Sequence, residues 1–156
     1  MTVLKSLLYL VFEAGIFALY IPLRLLRSGP RLETGMLSWL AIPLWLMGSL
    51  IILRCFWDFA RRGRGTPVPT DPPKELVVTG FYRYVRNPIY VGAMLIFLGH
   101  FLWFGYWALL LYTVLALIGV HLFILLYEEP TLKRKFGTAY EDYLNHVPRW
   151  IPRNPK

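Results

Sequence analysis

Cysteine, internal repeats and acidic charge are what this chain has least of. Its single cysteine, Cys55, excludes an intrachain disulfide and any multi-cysteine metal site. Within an apolar block it reads as a small packing residue, and no metal is expected. No internal repeat and no low-complexity segment appears. Gly63-Arg64-Gly65 follows an apolar block and not a strand, so it is no nucleotide-binding loop. Nine Asp and Glu stand against 17 Lys and Arg, a net charge of +8. Such a surplus can signal nucleic acid, but here the basic residues flank apolar blocks, where they report topology and contact with anionic lipid. No nucleic-acid partner is expected.

What the chain has in excess is apolar length. Hydrophobic residues make up 56% of the 156 residues, with a mean hydropathy of +0.47. They concentrate in blocks at 3–26, 35–59 and 88–127, and a bilayer span needs roughly 20 such residues. The last block is long enough to cross twice, turning at Gly105 inside the uncharged LWFGYW. The first exceeds a typical signal-peptide core, carries Glu13 and shows no convincing cleavage site. The expectation is an all-α membrane protein, one domain over 1–156, with about four transmembrane helices. Two lie in 1–60 and a helical hairpin in 88–128. Residues 61–87 form a loop rich in proline (GRGTPVPTDPPKEL), which cannot be a regular element. In 130–156, Leu132, Phe136, Tyr140, Tyr143 and Val147 recur at helical spacing, the pattern of one amphipathic interfacial helix closing over something. The Lys/Arg balance puts both termini and the 61–87 loop in the cytoplasm. Arg24, Arg27 and Arg31 in the first loop run against that orientation.

One stretch needs more than membrane entry to explain it: GFYRYVRNPIYVG, residues 80–92. Asn87 before Pro88 is a helix start, with Asn as N-cap and Pro at the first helical position. The free N–H groups of that helix end suit a carboxylate or phosphate. Arg83 and Arg86 add positive charge, and Tyr82 and Tyr90 add hydroxyls. Gly92 and Gly99 lie on one helical face and admit a ligand or a neighbouring helix. Glu128 and Glu129 close the last apolar block, and the hairpin returns Glu128 to the level of Arg86 and Asn87. Carboxylates at that depth are usually partnered, although the pair would also serve as a cap for a helix starting at Pro130. Anion-binding donors opposite a carboxylate make a site for a zwitterion such as an amino acid head group. His121 stands seven residues before Glu128 on the same face, and His100 follows Gly99. Either is a candidate base or substrate contact, or a polar residue satisfied between helices.

Arg86-Asn87-Pro88-x-Tyr90-x-Gly92, then Leu98-Gly99, Glu128-Glu129, Phe136-Gly137-x-x-Tyr140-x-x-Tyr143 and Val147-Pro148 resemble the isoprenylcysteine carboxyl methyltransferase and phospholipid methyltransferase superfamily over about residues 66–152. That resemblance implies a membrane methyltransferase of a bacterial inner membrane, using S-adenosylmethionine and a small or lipophilic acceptor. It implies that Lys74, Glu75, Leu76, Val77 and Tyr82 line the cofactor. Asn87, Pro88, Ile89 and Tyr90, with Gly92 and Gly99, would hold it, and Glu128 would contact its amino group. Arg86, Glu128 and His121 are the candidate catalytic residues. Asn87 replaces the family's usual His but keeps a cap and a donor. Ile124 replaces an Arg that binds the substrate carboxylate in the isoprenylcysteine enzymes, which argues against a prenylcysteine acceptor. A nicotinamide-dependent membrane reductase and a non-catalytic scaffold of the same fold are the alternatives. Glu128 would repel a pyrophosphate, and a scaffold need not keep Tyr90 and Glu128.

Overall fold

In a computed structural model of the chain, the described residues are 8, 11–26, 29–59, 61 and 74–153. Among them all regular structure is helical, and one isolated bridge joins Arg31 to Tyr106. A π-type turn, Ala14–Tyr20, leads into α1, Ile21–Leu25. A 3₁₀ turn, Gly35–Leu40, leads into α2, Ala41–Asp58. A second 3₁₀ turn, Gly80–Arg83, precedes α3, Pro88–Phe104. Then follow α4 (Trp107–Phe123), a π-type turn (Ile124–Glu128), α5 (Glu129–Phe136) and α6 (Thr138–His146).

Two helical stretches are long and apolar enough to cross a bilayer: Gly35–Asp58, with 24 residues, and Trp107–Phe136, with 30. With its 17 residues, α3 is roughly 25 Å long and falls just short of a hydrocarbon core of about 30 Å. The expected count of four spans thus becomes two candidate spans and one shorter apolar helix among the described residues. Much of 1–10 and most of the proline-rich segment, 62–73, lie outside them. Large apolar side chains such as Leu46, Leu50, Leu115 and Leu126 face outward. That is unfavourable in water and expected in lipid, where no hydrophobic drive pulls them inward.

The most extensive helix contact is between α2 and α3, and glycine makes it possible. A methyl group on Gly92 would sit 2.8 Å from the Gly48 carbonyl oxygen, and one on Gly99 would sit 2.6 Å from Trp45 Nε1. Trp45 in turn donates from Nε1 to the Ile96 carbonyl at 3.2 Å. The α3–α4 turn forms at Gly105, as expected, with φ 75°. Residues 30–32 lie over it: Leu32 N–H reaches the Gly105 carbonyl at 2.7 Å, and Trp107 N–H reaches that of Pro30 at 3.2 Å.

Two expectations about the C-terminal half need correction. No new helix starts at Pro130, because the helix from Trp107 runs unbroken to Phe136. Pro130 lacks an N–H and crowds the carbonyl four residues back. The π-type turn at Ile124–Glu128 loosens the backbone at that point. Nor is the cap one helix. It breaks at Gly137, whose φ of 56° with ψ −132° is a conformation open to glycine alone. Within the cap, Tyr140 and Tyr143 are buried, which matches the apolar face read from the spacing.

Candidate functional site

The site forms where the start of α3, the end of the 107–136 helix and the C-terminal segment 147–153 meet. That segment is a strap. Arg86 N–H donates to the Pro148 carbonyl at 2.9 Å, and Arg153 N–H donates to that of Tyr84 at 3.0 Å. Asn87 occupies the N-cap position of α3, with Pro88 first in the helix, but its side chain makes no cap hydrogen bond. Its Nδ2 donates instead to the Arg149 carbonyl at 3.2 Å. Tyr143 in α6 adds a further tie, its hydroxyl donating to the Tyr82 carbonyl at 2.8 Å. Burial pushes the Tyr143 hydroxyl above its ordinary range, so it stays a neutral donor. In the middle of the strap, Trp150 Nε1 donates to His121 Nδ1 at 3.2 Å. An indole N–H can only donate, so the His121 proton sits on Nε2.

The two glutamates have different partners. Glu129 accepts from Arg86 Nη1 at 2.9 Å and from Arg149 Nε and Nη2, both at 3.0 Å. Its side chain is 13% exposed, so these charges attract through a poorly screening medium. Glu128 accepts from the Tyr90 hydroxyl at 3.0 Å, and among the described residues no cation pairs with it. The Arg86 Nε is buried with no acceptor. The arrangement therefore offers one carboxylate bonded to Tyr90 in the first turn of α3, and one buried guanidinium N–H without an acceptor on Arg86 just before that helix. Those are complementary to a ligand carrying an ammonium and a carboxylate.

Beside these groups, the residues predicted to line a cofactor divide. Val77 and Tyr82 pack with Cys55 and Phe59 in a buried cluster, and Ile89 packs against it. Burial holds the Tyr82 hydroxyl well above its ordinary pKa. Pro88 is fully buried, Leu76 half-buried, and Lys74 and Glu75 exposed. Gly92 and Gly99 face a helix, one of the two neighbours that their spacing allows. The space beside them is filled by α2, because two helix backbones can approach this closely only where no Cβ intervenes. His121 serves as an anchor for Trp150, and His100 Nδ1 bonds its own helix at the Ile96 carbonyl, 2.6 Å away. Ile124, where the resemblance led to expect an Arg, is fully buried. Glu128 and Glu129 stand in continuous helix without capping bonds, which removes the cap reading of the pair.

Sequence reasoning missed Glu129 as the partner of both arginines, and it missed Arg149 and Trp150. Nothing in the spacing selects Arg149 from the other arginines, since its role depends on how the strap folds back.

Helices fit for a bilayer, carrying a half-buried carboxylate–arginine site under a C-terminal strap, define a helical membrane protein. The family model for phospholipid methyltransferases matches residues 36–139, more than half of the chain. The chain belongs to the phospholipid methyltransferase family, and so to a superfamily of membrane methyltransferases. The matched range holds Arg86, Tyr90, Glu128 and Glu129 and stops before Arg149. No curated protein and no solved structure gives a significant match. Nothing in these comparisons favours a reductase.

Proposed function

We propose that this protein transfers a methyl group from S-adenosylmethionine to a lipophilic acceptor bearing an amine, thiol or carboxylate. The observation that carries the reading is that, among the described residues, Glu128 has no cation and the buried Arg86 Nε has no acceptor. Bound S-adenosylmethionine would supply a methyl group already activated as a sulfonium. Glu128 would accept from its ammonium, oriented by the Tyr90 hydroxyl. Arg86 and the unsatisfied N–H groups of the first α3 turn would take its carboxylate. Asn87 and Pro148 would bind no ligand themselves, but they fasten the strap beside those donors.

The arrangement of charge fits a zwitterion. Arg86 and Arg149 bring two positive charges and Glu129 removes one. Glu128 brings the sum of the four side chains to zero and places its negative charge on the ammonium side of the site. The methyl donor has a net charge of +1 and its demethylated product is neutral. A site with no net charge but separated charges suits the ammonium and carboxylate of the methionine part, which donor and product share. The protein's remaining task is alignment, because the leaving group is already good. The buried Ile124 offers no partner to an acceptor carboxylate, so a lipid amine or thiol suits the site better than a prenylcysteine. The cofactor would enter from the cytoplasm, with both termini on that side.

Cells with and without the protein, fed methyl-labelled methionine, test this directly. Mass spectrometry of lipid extracts should find a labelled lipid only where the protein is present. Identical label distributions in the two extracts would refute the reading.

A further inference from the structure

A second feature lies outside the site just described. A depression of about 400 Å³ is lined by Arg54, Gly80, Phe81, Arg83 and Tyr84. None of Arg86, Tyr90, Glu128 or Glu129 lines it. The sequence builds it in two steps. Gly80 has a φ of 62°, and a side chain there would collide with the Asp58 carboxylate. Only glycine lets the Gly80–Arg83 turn press on the end of α2 so closely. Asp58 is 3% exposed, and its carboxylate lies 3.5 Å from Arg54 Nε. That contact is an ion pair without a hydrogen bond, and it leaves the terminal nitrogens of the exposed Arg54 for another partner. Arg83 is exposed, and among the described residues no carboxylate pairs with it.

The depression thus carries two cations against one buried anion. It also sits at the end of an apolar track. Leu46, Leu50 and Arg54 are spaced by four along α2, all exposed, and so share one outward face. Phe81 and Tyr84 expose aromatic surface beside the arginines, as side chains at a membrane interface do. An anion free in water would use the arginines and leave the track bare.

We propose that Arg54 and Arg83 bind the phosphate of an anionic phospholipid, with an acyl chain along Leu46 and Leu50. The guanidinium fork matches phosphate oxygens in pairs, which a lysine ammonium cannot do. The lipid meant here is a resident one, held by groups separate from the methyl-transfer site, and its binding does not depend on the proposed activity.

The test is native mass spectrometry of the full chain released from detergent micelles, with phosphatidylglycerol titrated in. Wild type should retain one tightly held lipid. Arg83→Gln, at an exposed position with no carboxylate partner among the described residues, should weaken binding about fivefold, the effect of roughly 1 kcal/mol for one basic residue. Arg54→Lys keeps the charge beside Asp58, and so the fold, but loses the fork and should also weaken binding. Arg134→Gln removes the same charge from exposed surface on α5 and should leave binding unchanged. Diacylglycerol, which has no phosphate, should bind wild type and Arg83→Gln equally. Unchanged phosphatidylglycerol affinity in Arg83→Gln, or an equal loss in Arg134→Gln, would mean that the arginines only extend into the interface as ordinary anchors, and would overturn the proposal. Displacement of the lipid by inorganic phosphate at matching concentration would assign the depression to a free anion and overturn it too.

Discussion

Replacing Glu129 by glutamine isolates the structural half of the glutamate pair. Three charged contacts, at 2.9, 3.0 and 3.0 Å, converge on this carboxylate from Arg86 and Arg149. Removing one partner from a fully buried ion pair costs about 3–5 kcal/mol, because a charge stays behind uncompensated. Here the two arginine side chains are 12% and 26% exposed, and the amide oxygen of glutamine still accepts one bond. The expected loss is therefore about 2 kcal/mol, equivalent to a fall in melting temperature of about 4–8 °C for a chain of this size. Glu128→Gln should show the opposite pattern. It removes an unbalanced charge and keeps an acceptor for Tyr90, so the ligand-free protein should melt at or slightly above the wild-type temperature. Both variants can be followed by intrinsic fluorescence during heating in one detergent, where six tryptophans report. Arg149→Gln provides the cross-check, because combined with Glu129→Gln it should cost less than the sum of the two. A Glu129→Gln protein that melts like wild type, or strict additivity with Arg149→Gln, would refute the clamp.

Gly92→Ala puts a methyl group 2.8 Å from a backbone oxygen of α2 and 2.9 Å from Ile52 Cγ1; it should destabilise the protein by about 1–3 kcal/mol in the same melting experiment. Tyr143→Phe leaves the Tyr82 carbonyl without its donor and should cost about 1–3 kcal/mol, with faster proteolysis of the C-terminal segment. The Tyr143 pKa is raised by folding, so its contribution is complete below the unfolded tyrosine value and is lost as pH climbs through the folded one. Melting temperature should therefore be insensitive to this group up to about pH 9 and decline above about pH 10. Reporters fused after Lys156 and inserted near Thr70 should both score cytoplasmic, and a periplasmic score at either would invert the proposed access of the cofactor.

How far the sequence is legible can be seen residue by residue. Asn87-Pro88 announces the start of α3 because proline's fixed φ and missing N–H are best accommodated in the first turn of a helix, behind an Asn N-cap. What Asn87 bonds does not follow, since that depends on a strap more than sixty residues downstream. Tyr140 and Tyr143 are readable as buried from their spacing, while the break between α5 and α6 rests on the φ of Gly137, which periodicity does not reveal. The glutamate pair is the clearest case. Composition and position place both carboxylates at the membrane boundary. Which of them meets Arg86 depends on the rotation introduced by the Ile124–Glu128 turn, and a 3.6-residue period carries no trace of that widening. Glycine spacing in α3 is read correctly as close approach, and the structure supplies a helix as the neighbour.

The central claim is that Glu128 is the open half of a zwitterion site, and titration calorimetry tests it most directly. Purified protein in detergent should bind S-adenosylmethionine, and its demethylated product with the same ammonium and carboxylate, at 1:1 stoichiometry. In Glu128→Gln the loss of a charged hydrogen bond, roughly 1.5–3 kcal/mol, should weaken donor binding about tenfold to hundredfold. No heat from either ligand with folded wild-type protein, or an unchanged affinity in Glu128→Gln, would contradict the account.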